Sequence, residues 1–134
     1  IEMYVKSIEM ELRVARLMLR AYIIPAVLQN QKMLLDAVEN YPEKILMKHP
    51  TILDNQYQFI EKSTLPLNEL MDNLSELDND NERIKNGPLL ESAHYCSEQV
   101  RPHLEETALL VEKVEERLNQ DFWKIPRISN ILFR

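Results

Sequence analysis

Residues 93–118 read AHYCSEQVRPHLEETALLVEKVEERL. Apolar or small side chains recur there at Ala93, Val100, Leu104, Thr107, Val111, Val114 and Leu118. The steps are seven, four, three, four, three and four, which is one face of an α-helix. Glu105, Glu106, Glu112, Glu115 and Glu116 fall between them and mark a solvated face. The spacing predicts a long helix over about 89–119, with Pro102 inside it.

Two earlier segments share this period. The first runs from Ile1 to about Glu39, on a seam of Ile1, Val5, Ile8, Leu12, Ala15, Leu19, Tyr22 and Ala26. From Val14 onward the apolar character spreads almost all round, with Met18, Ile23, Ile24, Val27 and Leu28 off the seam. Such a helix is expected to be buried on more than one side. Pro25 is expected to kink or split it near Tyr22. Pro42 and Pro50 bracket a linker in which Glu43 to Lys48 are placed as one short helical turn. The next segment runs over about 51–80, with Leu53, Tyr57, Ile60, Leu67, Met71 and Leu74 as its seam and Leu70 and Leu77 beside it. Thr51 or Asp54 is placed at its start as a cap. Pro66 interrupts its hydrogen-bond ladder, with Ser63 or Thr64 capping a restart. The polar run after Leu77 is expected to end it. Gly87-Pro88 is the clearest turn signal in the chain.

Short connections between long helices make neighbours antiparallel. The expected fold is therefore all-α: an up-down-up bundle of three long, proline-kinked helices in a single domain, 1–134, with a short C-terminal tail, 120–134. The tail carries Phe122, Trp123, Ile125, Ile128, Ile131, Leu132 and Phe133 among Lys124, Arg127 and Arg134. It is too short to be stable alone. It is expected to pack on the bundle or on a partner, with Trp123 mostly buried.

Composition agrees with this reading. The 134 residues include a single glycine, Gly87, which is expected to supply special backbone freedom at the chain reversal. Hairpin-rich β folds need glycine repeatedly, and glycine-rich phosphate loops need at least two at fixed spacing. The net charge of −6 argues against nucleic acid or an anionic membrane surface as main partner. The most apolar stretch, Val14 to Leu28, is interrupted by Arg16 and Arg20 and is too short for a membrane span. Cys96 is the one cysteine, so no internal disulfide forms. The first residue is Ile1 and not Met, which suggests a processed or excised piece of a longer protein.

His94 and His103 are nine residues apart, about 180° around a helix, and Cys96 lies about 200° from His94. No pair has the i,i+4 spacing of a helical metal site, so His49, His94 and His103 read as isolated structural or surface residues. Glu91-Ser92-Ala93-His94 stands alone, whereas a two-metal carboxylate bundle needs several such ligand sets on facing helices. Glu112 with Glu115 or Glu116 is ordinary surface pairing. No serine has a histidine at a readable distance. Neither a metal ligand nor a catalytic residue is assigned. Arg13, Arg16 and Arg20 form a basic stripe at helical spacing. One reading is an anion-holding set in a stand-alone all-α enzyme of the mutase type. The other is ion pairing with Glu9, or with acidic residues of a neighbouring helix or subunit. The run Glu69, Asp72, Glu76, Asp78, Asp80 and Glu82 reads as a solvated helix end, or as a site for a cation or basic partner. A generic helical interaction module remains a third reading of the whole chain.

Several stretches carry a resemblance. Ala93-His94-Tyr95-Cys96, Val100-Arg101-Pro102, Asp121-Phe122-Trp123-Lys124-Ile125-Pro126 and Ile131-Leu132-Phe133 resemble the C-terminus of type III glutamine synthetases, in order and in position. Tyr4-Val5-Lys6, Ile8-Glu9 and Ile23-Ile24-Pro25-Ala26 with Gln31 look like the helix that follows the catalytic domain in that family. The match covers roughly 4–38 and 93–133. Lys124 stands where the family has a proline, and 40–90 shows little beyond helical character. The resemblance implies a non-catalytic C-terminal packing and assembly domain of a cytoplasmic homo-oligomer. Its partners would be the parent's catalytic domain and neighbouring subunits, met through Val14 to Leu28 and the apolar tail. The family makes glutamine from glutamate, ammonia and ATP with divalent metal ions. The resemblance places the ATP and metal sites in the catalytic domain, and none in this chain.

Overall fold

A computed structural model of the chain describes residues 1–117, and over these it is all-α. Helix α1 spans Glu2–Met18 and α2 spans Ile24–Glu39, joined without a loop by a π-helical turn at Leu19–Ile23. The short α3 covers Glu43–Lys48, where a helical turn was expected, and α4 covers Ile52–Lys85. Helix α5, Leu89–Tyr95, continues through a second π-helical turn, Cys96–Val100, into α6, Arg101–Glu115. Leu118 and the tail with Trp123 lie outside the described residues. Among the described residues no helix is long and apolar enough to cross a membrane.

The inner seam of α1 is buried as its period requires, at Val5, Ile8, Leu12, Ala15 and Leu19. The next step departs from the expectation. Tyr22 is 51% exposed and Ile23 is wholly buried. The π turn is the cause: its wider turn takes up one extra residue, so the seam passes from Leu19 to Ile23. The second π turn does the same between Cys96 and Val100, both fully buried.

One residue separates each π turn from a proline. Ile24 donates its N–H to the Leu19 carbonyl, five residues back, and Pro25 follows. Arg101 donates to the Cys96 carbonyl in the same way, and Pro102 follows. A proline ring in a regular helix clashes with the carbonyl four residues before it, and widening that turn relieves the clash. Pro66 is accommodated differently, inside an uninterrupted α4. The carbonyl it deprives of a donor is that of Lys62, four residues earlier. Arg117 Nη1 donates to this oxygen at 2.9 Å. No restart cap is needed: Ser63 and Thr64 donate instead to the carbonyls of Phe59 and Ile60, at 3.1 and 2.8 Å.

Two expectations for α4 are corrected. Its buried face is Ile60, Leu67, Leu70, Asn73, Leu77, Asp80, Asn81 and Ile84, while Tyr57 and Met71 are exposed. The apolar period places the seam one step away because three core positions, Asn73, Asp80 and Asn81, are polar. The helix also continues through the polar run at 78–81 to Lys85, because Asp80 and Asn81 face inward there.

Contacts set the directions of the helices. Arg16 meets Asp78 and Gln31 meets Thr64, so numbering rises along α1–α2 as it falls along α4. Tyr95 meets Asp80, Thr107 meets Asn73, and Arg117 meets Lys62, so α4 and α5–α6 are antiparallel too. Leu12, Leu19, Ile23, Leu70, Leu77, Val100 and Val111 form the fully buried centre.

Gly87 lies at the reversal between α4 and α5, but its φ is outside the left-handed region. The turn is held by other means. Ser92 Oγ lies 3.2 Å from the Ile84 carbonyl, which it caps, and Pro88 precedes the first turn of α5. A Cβ at Gly87 would meet only Ser92 Oγ at 3.5 Å and the Arg83 carbonyl at 3.8 Å, both ordinary contacts. Gly87→Ala is therefore expected to raise stability by about 0.4–1 kcal/mol, by restricting the unfolded chain. Chemical denaturation checks this, and a loss of stability would contradict it.

Candidate functional site

The long antiparallel contact between α4 and α5–α6 buries a polar layer. Asn73, Glu76 and Asp80 come from one side of α4. Tyr95 comes from the end of α5, and His103 and Thr107 from the first turns of α6. Asp80 is only 1% exposed. Its two oxygens have one donor each: the Tyr95 hydroxyl at 2.7 Å and His103 Nδ1 at 2.6 Å. An ionised carboxylate only accepts, so the Nδ1 position carries the proton. His103 Nε2 faces Glu76 Oε2 at 3.7 Å, an ion-pair distance without a hydrogen bond. One turn further along, Asn73 Nδ2 donates to the His103 carbonyl at 3.1 Å. The Thr107 hydroxyl lies against Asn73 Oδ1 and, at 2.9 Å, the His103 carbonyl.

The layer perturbs its members. Burial, and then the hydrogen bond to Asp80, push the Tyr95 phenol up to about 12. Burial and the neighbouring Glu106 carboxylate raise Glu76. Cys96, buried close by, has its thiol raised by burial and by the charges of Glu9 and Asp80. A histidine held by a buried carboxylate is half of an acid–base device. Here its free nitrogen addresses a second carboxylate and not a hydroxyl nucleophile. The arrangement therefore joins helices through hydrogen bonds to a buried carboxylate, and it fixes their register, because a slip of one turn would strand Asp80 without a donor.

His103 is thus not the isolated residue its spacing suggested, and Asp80 is not part of a solvated helix end. Spacing along one helix cannot report partners 15, 23 and 34 residues away. One signal was present: Pro66, Asn73 and Asp80 follow a strict seven-residue row beside Leu70 and Leu77. His49 and His94 are exposed.

The basic stripe is engaged by one carboxylate. Arg16 Nε donates to Asp78 Oδ1 at 2.7 Å and Arg20 Nη2 to Asp78 Oδ2 at 2.9 Å. Arg13 is exposed. Two of the three guanidinium groups are thus directed at a protein side chain on α4, in a partly exposed pair of the kind worth about 1 kcal/mol or less. Among the described residues no group of three or more His, Cys, Asp or Glu side chains is arranged to hold a metal ion.

An open cleft of about 850 Å³ lies at the α4–α5 turn. Glu82, Arg83, Glu91, His94, Tyr95 and Glu98 are among its walls. The Arg83 guanidinium lies 4.9 Å over the Tyr95 ring, so the same tyrosine faces the cleft with its ring and Asp80 with its hydroxyl. Comparison with protein-family models, curated proteins and solved structures gives no match for this chain.

Proposed function

We propose that this chain is the non-catalytic helical C-terminal domain of a type III glutamine synthetase-like enzyme, and that its work is packing and assembly. In this reading the fold is an up-down-up bundle of three long, proline-bearing helices. The parent is a cytoplasmic homo-oligomer, and ATP and divalent metal bind in its catalytic domain. The observation that carries the reading is a second apolar seam on α1. Met3, Met10 and Leu17 are each more than half exposed, at steps of seven residues. Ser7, Val14 and Ala21 alternate with them. This seam lies about 200° around the helix from the buried one, by two-residue offset. A helix with two apolar seams on opposite sides is suited to cover on both. The residues that resemble the synthetase family, including Ile23-Ile24-Pro25 and Val100-Arg101-Pro102, supply the identity of the proposed partner.

The coding sequence on the 5′ side of Ile1 tests the reading first: a synthetase catalytic domain in the same frame is expected, and its absence overturns the proposal. In the full-length protein, Met10→Glu with Leu17→Glu is expected to break the oligomer in sedimentation runs while circular dichroism stays helical. Glutamine formation by the purified 134-residue chain, given glutamate, ammonia, ATP and magnesium, would also overturn it.

A further inference from the structure

The outer seam of α1 has the spacing of a coiled-coil strand. Met3, Ser7, Met10, Val14 and Leu17 follow one another at steps of four, three, four and three. Methionine or leucine stands at every seventh position, with Ser7 and Val14 between them. A β-branched residue at one of the two core positions and leucine at the other, as at Val14 and Leu17, favours pairs over larger assemblies. An isolated helix of this length is marginal in water. Here α1 is already held on the bundle by Val5, Ile8, Leu12 and Ala15 on its opposite side. Pairing through the outer seam therefore requires no ordering of the helix.

The charges that flank the seam point to its occupant. One edge carries Lys6 and Arg13, both exposed. The other carries Tyr4, Glu11 and Met18, of which Glu11 is exposed. In an antiparallel pair of such helices each edge faces itself, so Lys6 and Arg13 would meet basic residues of the copy. In a parallel pair each edge faces the opposite one, and a residue lies across from the one five positions further along its partner helix. Lys6 then faces Glu11 of the second copy, and the two-fold axis makes the same ion pair twice. Arg13 faces Met18 of the second copy, with no like charge opposed. Lys6 stands 3.6 Å from Glu2 of its own helix, in an exposed contact weak enough to exchange. We propose that α1 pairs with α1 of a second copy of this chain, parallel and in register, through Met3, Met10, Val14 and Leu17. The inference rests on the packing role given to this seam above and not on the synthetase identity.

Sedimentation equilibrium of the 134-residue chain tests it. A monomer–dimer equilibrium in the micromolar range is expected, with no larger species. Met10→Glu, at an exposed site, is expected to abolish the dimer while circular dichroism stays helical. Lys6→Glu and Glu11→Lys are each expected to weaken the dimer several-fold, and the two together to restore it. A cross-link reads the direction without relying on charge. Leu17→Cys in a Cys96→Ala background is expected to give a disulfide-linked dimer when oxidised glutathione is added, because a parallel pair brings the two sulfurs together. Leu109→Cys, exposed on α6, is expected not to cross-link under the same conditions. A chain that stays monomeric throughout the micromolar range overturns the proposal. If Met10→Glu with Leu17→Glu still breaks the full-length oligomer, the packing reading stands and only the second copy as occupant falls. A dimer that Lys6→Glu strengthens also overturns it, since that is the mark of an antiparallel pair. So does a Leu17→Cys chain that fails to cross-link.

Discussion

Asp80→Ala is expected to lower stability by about 3 kcal/mol, measured as a shift in denaturation midpoint at unchanged slope. The carboxylate is almost wholly buried, and it accepts from both Tyr95 and His103. Removing it leaves a phenol and an imidazole donor facing a space that no side chain fills, and an unsatisfied buried donor costs about 1–3 kcal/mol. The His103 imidazole is partly accessible to water, which keeps the total at the lower end of values for broken buried pairs. Asp80→Asn keeps the volume and one acceptor, so its cost is expected to be smaller. It supplies a second readout. Tyr95 titrates at about 12 chiefly because of burial and then because of Asp80. Spectroscopic titration of Asp80→Asn is expected to bring this pKa part of the way back toward 10. The sign for stability follows. A phenol whose folded pKa lies above its unfolded value contributes stability that is complete below pH 10 and is lost as pH rises through about 12. An Asp80→Ala change within about 0.5 kcal/mol of wild type would show that the layer is inert.

The second large effect separates two adjacent residues. Leu70→Ala is expected to cost about 2–5 kcal/mol, and Met71→Ala less than about 1 kcal/mol. Leu70 is wholly buried, so truncation leaves a cavity in the core, whereas Met71 is 45% exposed. The apolar period of α4, read alone, puts Met71 on the seam and Leu70 beside it. Equal costs for the two variants would refute the register described here.

That reversal shows what was legible and what was not. The all-α class, the short α3 and the turn at Gly87-Pro88 follow from period and turn chemistry, because these are local signals. The register of α4 does not, because a hydrophobic period treats Asn73, Asp80 and Asn81 as surface. The burial of Asn73 and Asp80 depends on Tyr95, His103 and Thr107, which α5 and α6 supply. The seam of α1 is legible up to Leu19 and then slips by one residue, because a π turn leaves no composition signal of its own beyond the proline that follows. The arginine stripe was legible as a shared face. Its target, Asp78, lies 62 residues from Arg16 and 58 from Arg20 and becomes visible only when the chain is folded.

The two π turns also constrain how the gene can change. Each amounts to one codon inserted into an otherwise regular helical period, and each sits ahead of a proline codon. Loss of one such codon would restore the regular period on one helix alone, rotate everything downstream by about 100° and press the proline ring onto a carbonyl. Related sequences should therefore lose a single-residue gap near Leu19 only when position 25 is no longer proline. The same coupling should hold between Cys96 and position 102. Gaps of this kind would mark shared ancestry even where side-chain identity has decayed.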